Sequence, residues 1–134
     1  ALGCARRLID DSLSYALERK QFNQRIADFQ LIQAMLADSE TEYFAGKCKV
    51  EETARMFDKG GRLSRYTAAC KLYCTEMVGR VADRAVQIHG GSGYIADYAV
   101  ERFYRDVRIF RLYEGTSQIQ QLLIAKEMIR DYER

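Results

Sequence analysis

Among the acidic residues of this chain, Glu114 stands where a carboxylate could take a proton from a ligand. It lies in Leu112-Tyr113-Glu114-Gly115-Thr116-Ser117-Gln118, between an aromatic ring and a glycine and just ahead of a helix start. Thr116 or Ser117 can cap that helix, and Ile119, Leu122, Leu123 and Ile129 follow at helical spacing. A carboxylate at such a junction is held on rigid structure while a ligand can approach it. That suits a general base, and it suits an ordinary loop acid equally well.

Other polar clusters also fall at helix ends rather than on helix faces. Arg19-Lys20-Gln21-Phe22, with Phe29-Gln30 following, pairs a phosphate-binding charge with apolar rings, as a nucleotide requires. The alternative there is a solvated surface loop. In Gln87-Ile88-His89-Gly90-Gly91 the paired glycines let a ligand come close to the backbone, or simply end a helix. The segment Tyr113 to Gln118 adds the N–H groups of a helix start, which favour an anion or a polar ligand. His89 is the only histidine; beside a glycine pair it is better placed to bond a backbone group than to act as acid or base.

Stepping of apolar residues by three and four places these clusters. Leu2, Ala5, Ile9, Leu13 and Ala16 predict a first helix to about Glu18, and Arg19 to Asp28 is a polar, basic connection. Ile32, Leu36, Ser39, Tyr43, Gly46, Val50, Ala54 and Phe57 predict a long second helix ending at Gly60-Gly61. Cys70, Tyr73, Met77, Val81, Ala85 and Ile88 give a third, stopping at Gly90-Gly91. Ser92 to Asp97 is a turn, Asp97 is the expected N-cap of a short helix to about Val107, and a last helix runs from about Ser117 to Tyr132. No useful period-2 alternation occurs. The expected fold is all-α: an up-and-down four-helix bundle, residues 1–134 forming one domain, with an additional short helix before the last long one.

Composition supports this and excludes other classes. The chain has 134 residues and no proline, the residue that most often breaks a helix. Twenty-one Lys and Arg against 19 Asp and Glu give a net charge of +2, too balanced for a nucleic-acid binder. No apolar run is long enough to span a bilayer and no secretory leader pattern occurs. Cys4, Cys48, Cys70 and Cys74 read as buried free thiols of a reducing compartment, and one histidine leaves no metal site. Most of the nine tyrosines are expected at half-buried bundle positions. Ala1-Leu2-Gly3-Cys4-Ala5 looks like helix interior with no cap ahead of it, as in a fragment that begins partway through a helix.

Taken together, Arg19-Lys20-Gln21-Phe22, Phe29-Gln30, Gln87-Ile88-His89-Gly90-Gly91-Ser92-Gly93-Tyr94, Arg105-Asp106 and Tyr113-Glu114-Gly115-Thr116-Ser117-Gln118-Ile119-Gln120 resemble the C-terminal helical domain of the acyl-CoA dehydrogenase family, in order and over nearly the whole chain. The resemblance implies FAD as cofactor and an acyl-CoA thioester as substrate. Glu114 matches the base that removes the α-proton while the β-hydrogen leaves as hydride to the flavin N5, and the backbone N–H of that glutamate is one donor to the enolate oxygen. Gly115 leaves room for the thioester and Tyr113 matches a wall of the site. Arg19 matches the arginine at the FAD pyrophosphate, with Gln21, Phe22, Phe29 and Gln30 beside it. Gln87, Ile88, His89, Gly90 and Gly91 match the segment at the ADP portion, and Thr116 and Gln118 the contacts after the glutamate.

In the family several of these residues reach the FAD of a neighbouring subunit, so a homodimer or homotetramer is implied, with an electron-transfer flavoprotein as acceptor. The implied setting is cytoplasmic, or the mitochondrial matrix in a eukaryote. The chain departs from the pattern at Asn23, where glycine is common; asparagine tolerates the same turn. The family's N-terminal helical domain and central β-domain are not in these residues, so the piece alone is expected to fold without turning over substrate. Some members carry their base on an upstream helix, and Glu114 argues against that variant. The alternatives are an acyl-CoA oxidase, an enoyl-CoA reductase, or a non-catalytic helical interaction module that kept the bundle.

Overall fold

The computed structural model describes residues 1–133. Helix α1 (Leu2–Glu18) is followed by a miniature hairpin of β1 (Lys20–Gln21) and β2 (Gln24–Arg25), a 3₁₀ turn at Ile26–Asp28, and α2 (Gln30–Asp58). Then come α3 (Ser64–His89), a 3₁₀ turn at Gly90–Gly93, α4 (Val100–Asp106), a 3₁₀ turn at Val107–Arg111, and α5 (Ser117–Tyr132). Four long helices form the bundle, as expected.

Helix α3 is the axis, packing against α1, α2, α4 and α5. Its Met77, Val78, Val81, Ala82 and Ala85 meet Ala5, Leu8 and Ile9 of α1, with Val100 and Val107 closing the cluster. Each large aliphatic side chain buried there contributes about 1.5–3 kcal/mol of transfer free energy. The approach of α2 is close because Gly46 has no side chain: a Cβ there would lie 3.3 Å from Leu2 and 3.4 Å from Cys74.

Several expectations need correction. The connection after α1 is not featureless, since Lys20 pairs with Arg25 and Gln21 with Gln24. Asp97 does not cap α4; the cap position is Ala99, with no side-chain bond, and the helix starts at Val100. On α2 the predicted stripe holds only in its first half: Ser39 and Gly46 are buried, but Val50 and Phe57 are exposed. A 29-residue helix cannot keep one straight stripe against a shorter contact, and the inward positions drift to Thr53 and Met56.

The largest departure is α5. Ile119, Leu122, Leu123 and Ile129 are exposed, while Ser117, Gln120 and Glu127 are buried. Glu127 is held by Arg62 at 3.0 Å and by Arg130. Its apolar periodicity was real, but it marks the outward face. Of the thiols, Cys74 is buried, where burial pushes it up; Cys4 and Cys70 are half-buried and Cys48 is exposed. None forms a disulfide.

Candidate active site

Glu114 sits on a turn that the sequence bends against its own preference. Its φ is +53° and that of Gly115 is +90°. For a residue with a Cβ the left-handed region costs roughly 1–2 kcal/mol, so it persists where surroundings enforce it. The enforcement is visible on both sides of the turn. Ahead of it, the N–H groups of Leu112 and Tyr113 both donate to Ile109 O, at 2.8 and 3.1 Å. Behind it, Thr116 is the N-cap of α5, its hydroxyl accepting from Ile119 N–H at 3.3 Å. Ser117, the alternative cap, instead donates from Oγ to Glu76 Oε1 at 2.6 Å.

Helix α3 supplies the remaining anchors. The Lys71 ammonium donates to Phe110 O at 3.0 Å and to Gly115 O at 2.6 Å. Gln120, buried on α5, donates from its amide to Glu114 O at 3.4 Å and Gly115 O at 3.3 Å. Arg111 donates to the second oxygen of Glu76 at 3.3 Å. Its guanidinium lies directly over Gly79, where any Cβ would collide with it. At Gly115 the φ of +90° favours glycine, and a Cβ there would lie 2.6 Å from the Gln120 amide, displacing that side chain from its bonds to the turn.

The outcome is a carboxylate on a backbone fixed from three directions, with its side chain exposed. The N–H of Glu114 has no acceptor among the described residues. Tyr113 stacks on Phe110, centroids 5.9 Å apart, and forms a half-exposed aromatic wall beside the carboxylate. Lys71, Glu76 and Gly79 of α3 have no sequence pattern that marks them, and Gln120 of α5 has none beyond its place at the end of the Tyr113–Gln120 motif. A polar strip on an otherwise apolar α3 is the only signal of the first group, and spacing alone cannot tell it from a solvated edge.

The other candidate residues gather at the far end of α3. Ile88, Ala16 and Ile26 share a small core with Phe29 packed on it, which ties the hairpin to the end of α3. At the hairpin tip Phe22 and Asn23 have φ of +50° and +63°, the paired left-handed residues of a two-residue hairpin turn. Asn23 therefore serves where glycine is common. Phe22 is 88% exposed in this strained setting, its ring touching only Phe29 edge-on at 6.2 Å among the aromatic pairs. Arg19, Gln21 and Gln30 are exposed around it, and Arg19 has no carboxylate partner among the described residues. Gln87, Gly90 and Gly91 are exposed, and a Cβ at either glycine would meet nothing within 4 Å. Ile88 and His89 face inward: His89 Nδ1 bonds Ala85 O at 2.8 Å, and its ring stacks on Tyr15 at 4.3 Å. Only their backbone faces the cluster's open side.

Lys71 and Ile88 lie on one helix, so a rise of about 1.5 Å per residue separates the two groups by roughly 25 Å. Thr116 and Gln118 belong to the Glu114 end. Between the ends runs a groove of about 1130 Å³ whose wall includes Glu76, Arg84, Gln87, Tyr94, Arg105 and Arg108, but not Glu114. Arg80 and Arg84 on that wall are committed to Glu42, at 2.9 and 3.1 Å. Burial works to raise the Glu42 carboxyl, but hydrogen bonds from Arg84 and Arg80 outweigh it and hold the group below its ordinary range. Among the described residues no cluster of His, Cys, Asp and Glu could hold a metal ion, and no helix is long and apolar enough to cross a membrane.

The family described as "Acyl-CoA dehydrogenase, C-terminal domain" matches residues 1–129. Caffeyl-CoA reductase-Etf complex subunit CarC of Acetobacterium woodii is 44% identical over 130 residues, 97% of this chain and 34% of that protein. Acryloyl-CoA reductase (NADH) of Anaerotignum propionicum is 43% identical over 97% of this chain and 33% of its own length. The three-dimensional structure of butyryl-CoA dehydrogenase from Megasphaera elsdenii superposes with a TM-score of 0.93 at 32% identity, covering 96% of this chain and 33% of that one. The chain thus spans about a third of the length of the curated relatives it matches.

Proposed function

This chain belongs to the acyl-CoA dehydrogenase family, of which it forms the C-terminal domain, and from that premise we propose that it carries the base and part of the cofactor site of an FAD-dependent α,β-dehydrogenation of an acyl-CoA thioester. The observation that carries the reading is Glu114 itself: an exposed carboxylate at φ +53° on a turn fixed by α3 and α5. A base must meet its proton within about 3 Å, so a pinned backbone and an open side chain are what the task needs.

In this reading the α C–H bond breaks, its proton passes to the Glu114 carboxylate, and its electron pair moves into the thioester. The Glu114 N–H is the donor this chain offers to the developing oxygen charge. Tyr113 and the side-chain-free Gly115 border the space for the thioester. FAD, when bound, supplies the two-electron acceptor for the hydrogen lost at Cβ.

The residues of the far end fit such a cofactor. Arg19 offers a guanidinium to a pyrophosphate, and Phe22 an exposed ring with Phe29 behind it. Gln21 and Gln30 stand beside them, and the open backbone at Gly90-Gly91, with Gln87, offers close approach to an adenosine portion. Thr116 and Gln118 do the same near the base. Because the two groups lie roughly 25 Å apart on a rigid helix, the Arg19 end serves the FAD of a second copy, and the working unit is a homodimer or a pair of dimers.

Replacement of Glu114 by Gln in the full-length protein tests the reading. Flavin should stay bound while oxidation of an acyl-CoA falls about a hundred- to ten-thousandfold; near-normal turnover sinks the assignment of the base. The similarity to two proteins named reductases supports a second reading, in which the same groups run the reaction towards the saturated thioester. The name of one of them, which includes an Etf complex, supports an electron-transfer flavoprotein as redox partner. Oxygen consumption with hydrogen peroxide release would mark an oxidase instead. A protein that is colourless and cannot be reconstituted with flavin would mark a non-catalytic module.

A further inference from the structure

We propose that Lys71 is a positioning residue for the base, an ammonium pin that closes the Glu114 turn from the α3 side and sets where the carboxylate stands. The proposal rests on the assignment of Glu114 as the base. Its two acceptors are Phe110 O, at 3.0 Å, and Gly115 O, at 2.6 Å. These carbonyls flank the segment from Arg111 to Glu114, so one cation ties together the entry and the exit of the turn. Phe110 also lies in the last part of the 3₁₀ turn Val107–Arg111, whose carbonyl end favours a positive charge.

The pin is not a surface bond that water could replace without consequence. Lys71 is half-buried, and its anchor helix packs on four others. The turn has its own reason to open, because Glu114 holds a left-handed φ that its Cβ disfavours. No other restraint joins the same two points. The Ile109 carbonyl holds only the entry and the Thr116 hydroxyl only the start of α5. Gln120 reaches Glu114 O and Gly115 O, at 3.4 and 3.3 Å, and has no hydrogen bond to Phe110. Glu76 holds Ser117 and Arg111 by their side chains and leaves the backbone between them unbridged. A hydrogen bond from a charged donor changes a local equilibrium by about ten- to a hundredfold, enough to decide whether a strained turn is closed.

The test uses the full-length flavoprotein with Lys71→Met, which keeps the aliphatic stem and removes the donors, and Lys71→Arg, which keeps a cation with several donors. Two quantities are read: hydrogen–deuterium exchange of peptides covering residues 110–118, and kcat and KM for butyryl-CoA with an artificial electron acceptor, each variant beside Glu114→Gln. The expected result for Lys71→Met is about tenfold faster exchange confined to that segment. With it kcat should fall about ten- to a hundredfold while KM and flavin content stay within about twofold, since a misplaced base loses rate before it loses binding. Lys71→Arg should recover part of both. In a Glu114→Gln background, Lys71→Met should cause no further loss of rate.

Unchanged exchange at 110–118 overturns the pin, and so does faster exchange with kcat within twofold of the parent. A fall in kcat accompanied by equal loss of flavin overturns it as well, because a general loss of structure then explains the rate. If Glu114→Gln retains activity, the base assignment fails, and the exchange result still decides by itself whether Lys71 holds the turn.

Discussion

Along the Lys71–Gly79 half of α3, the chain lying against the helix is held by hydrogen bonds and charge: Lys71 to two carbonyls, Glu76 to Ser117 and Arg111, with Gln120 answering from α5. Along the Ala85–His89 half it is held by packing, with Ile88 against Ile26 and Ala16, and His89 stacked on Tyr15. In the proposed function the polar half carries the base, a carboxylate that must stand at one place. The packed half carries Arg19, Phe22 and an open glycine pair, which in that proposal need only be presented. Directional bonds fix a position; apolar contacts fix a shape and leave exposed tips adjustable. The molecule uses each where its task requires it.

The strongest way to break this division is to damage one end at a time. Glu114→Gln should abolish most turnover with flavin retained, whereas Arg19→Gln should lower flavin retention by about ten- to a hundredfold. Refolding the two variants together should restore turnover if the ends belong to sites shared between two copies. Failure of the mixture to recover any activity would show that each chain completes its own site. At the polar end, Lys71→Met should separate local exchange and kcat from KM, as set out above.

Removing the packed ring tests the other half. His89→Ala leaves a hole beside Tyr15 and Tyr98 and should cost about 2–4 kcal/mol in denaturant melts, with little effect on kcat per bound flavin. A comparable drop in kcat would contradict the assignment of this end to presentation.

Glu42 gives a smaller effect with a pH signature. Its folded-state carboxyl lies below the ordinary 4.5, so its ion pairs with Arg80 and Arg84 stabilise the fold at pH values above that. The contribution is lost as pH falls through the lower folded value. Glu42→Gln should therefore destabilise by about 1–2 kcal/mol at pH 7, and the gap between parent and variant should narrow in melts below pH 4.5. A gap that is constant with pH would remove the charge from the explanation.

The smallest expected effect has the opposite sign. Phe22→Asn places a residue that tolerates φ +50° at the hairpin tip and gives up almost no buried surface. It should stabilise the protein by about 0.5–1 kcal/mol while weakening flavin retention. A stabilised variant with unchanged flavin affinity would leave the exposed ring without a role.

Much of this was legible in the sequence, and the parts that were not share a cause. The helices of α1 and α3 followed from periodicity because most of each apolar stripe faces the core, although on α1 the predicted Leu13 is exposed and Leu8 is buried in its stead. Glu114, Arg19 and the glycine pair stood out because each occupies a helix end with an unusual neighbour. On α5 the same periodicity misled, since an apolar stripe reports two environments and does not say on which side the protein lies. Asp97 misled because a cap-forming residue is common in turns that cap nothing. Lys71 and Glu76 were invisible because their meaning comes from partners 35 to 44 positions away, and the role of Gln120 lies across a turn whose φ no pattern announces.

The inverted polarity of α5 has a consequence for register. A helix seated on an apolar stripe can slide by a turn, about 5.4 Å, and meet leucine with leucine again. Here such a slide would put Leu123 or Asp131 where Glu127 meets Arg62, and would pull Ser117 from Glu76, both in one movement. The helix is therefore indexed against α3 at one setting, and that setting fixes where the chain leaving Glu114 must end.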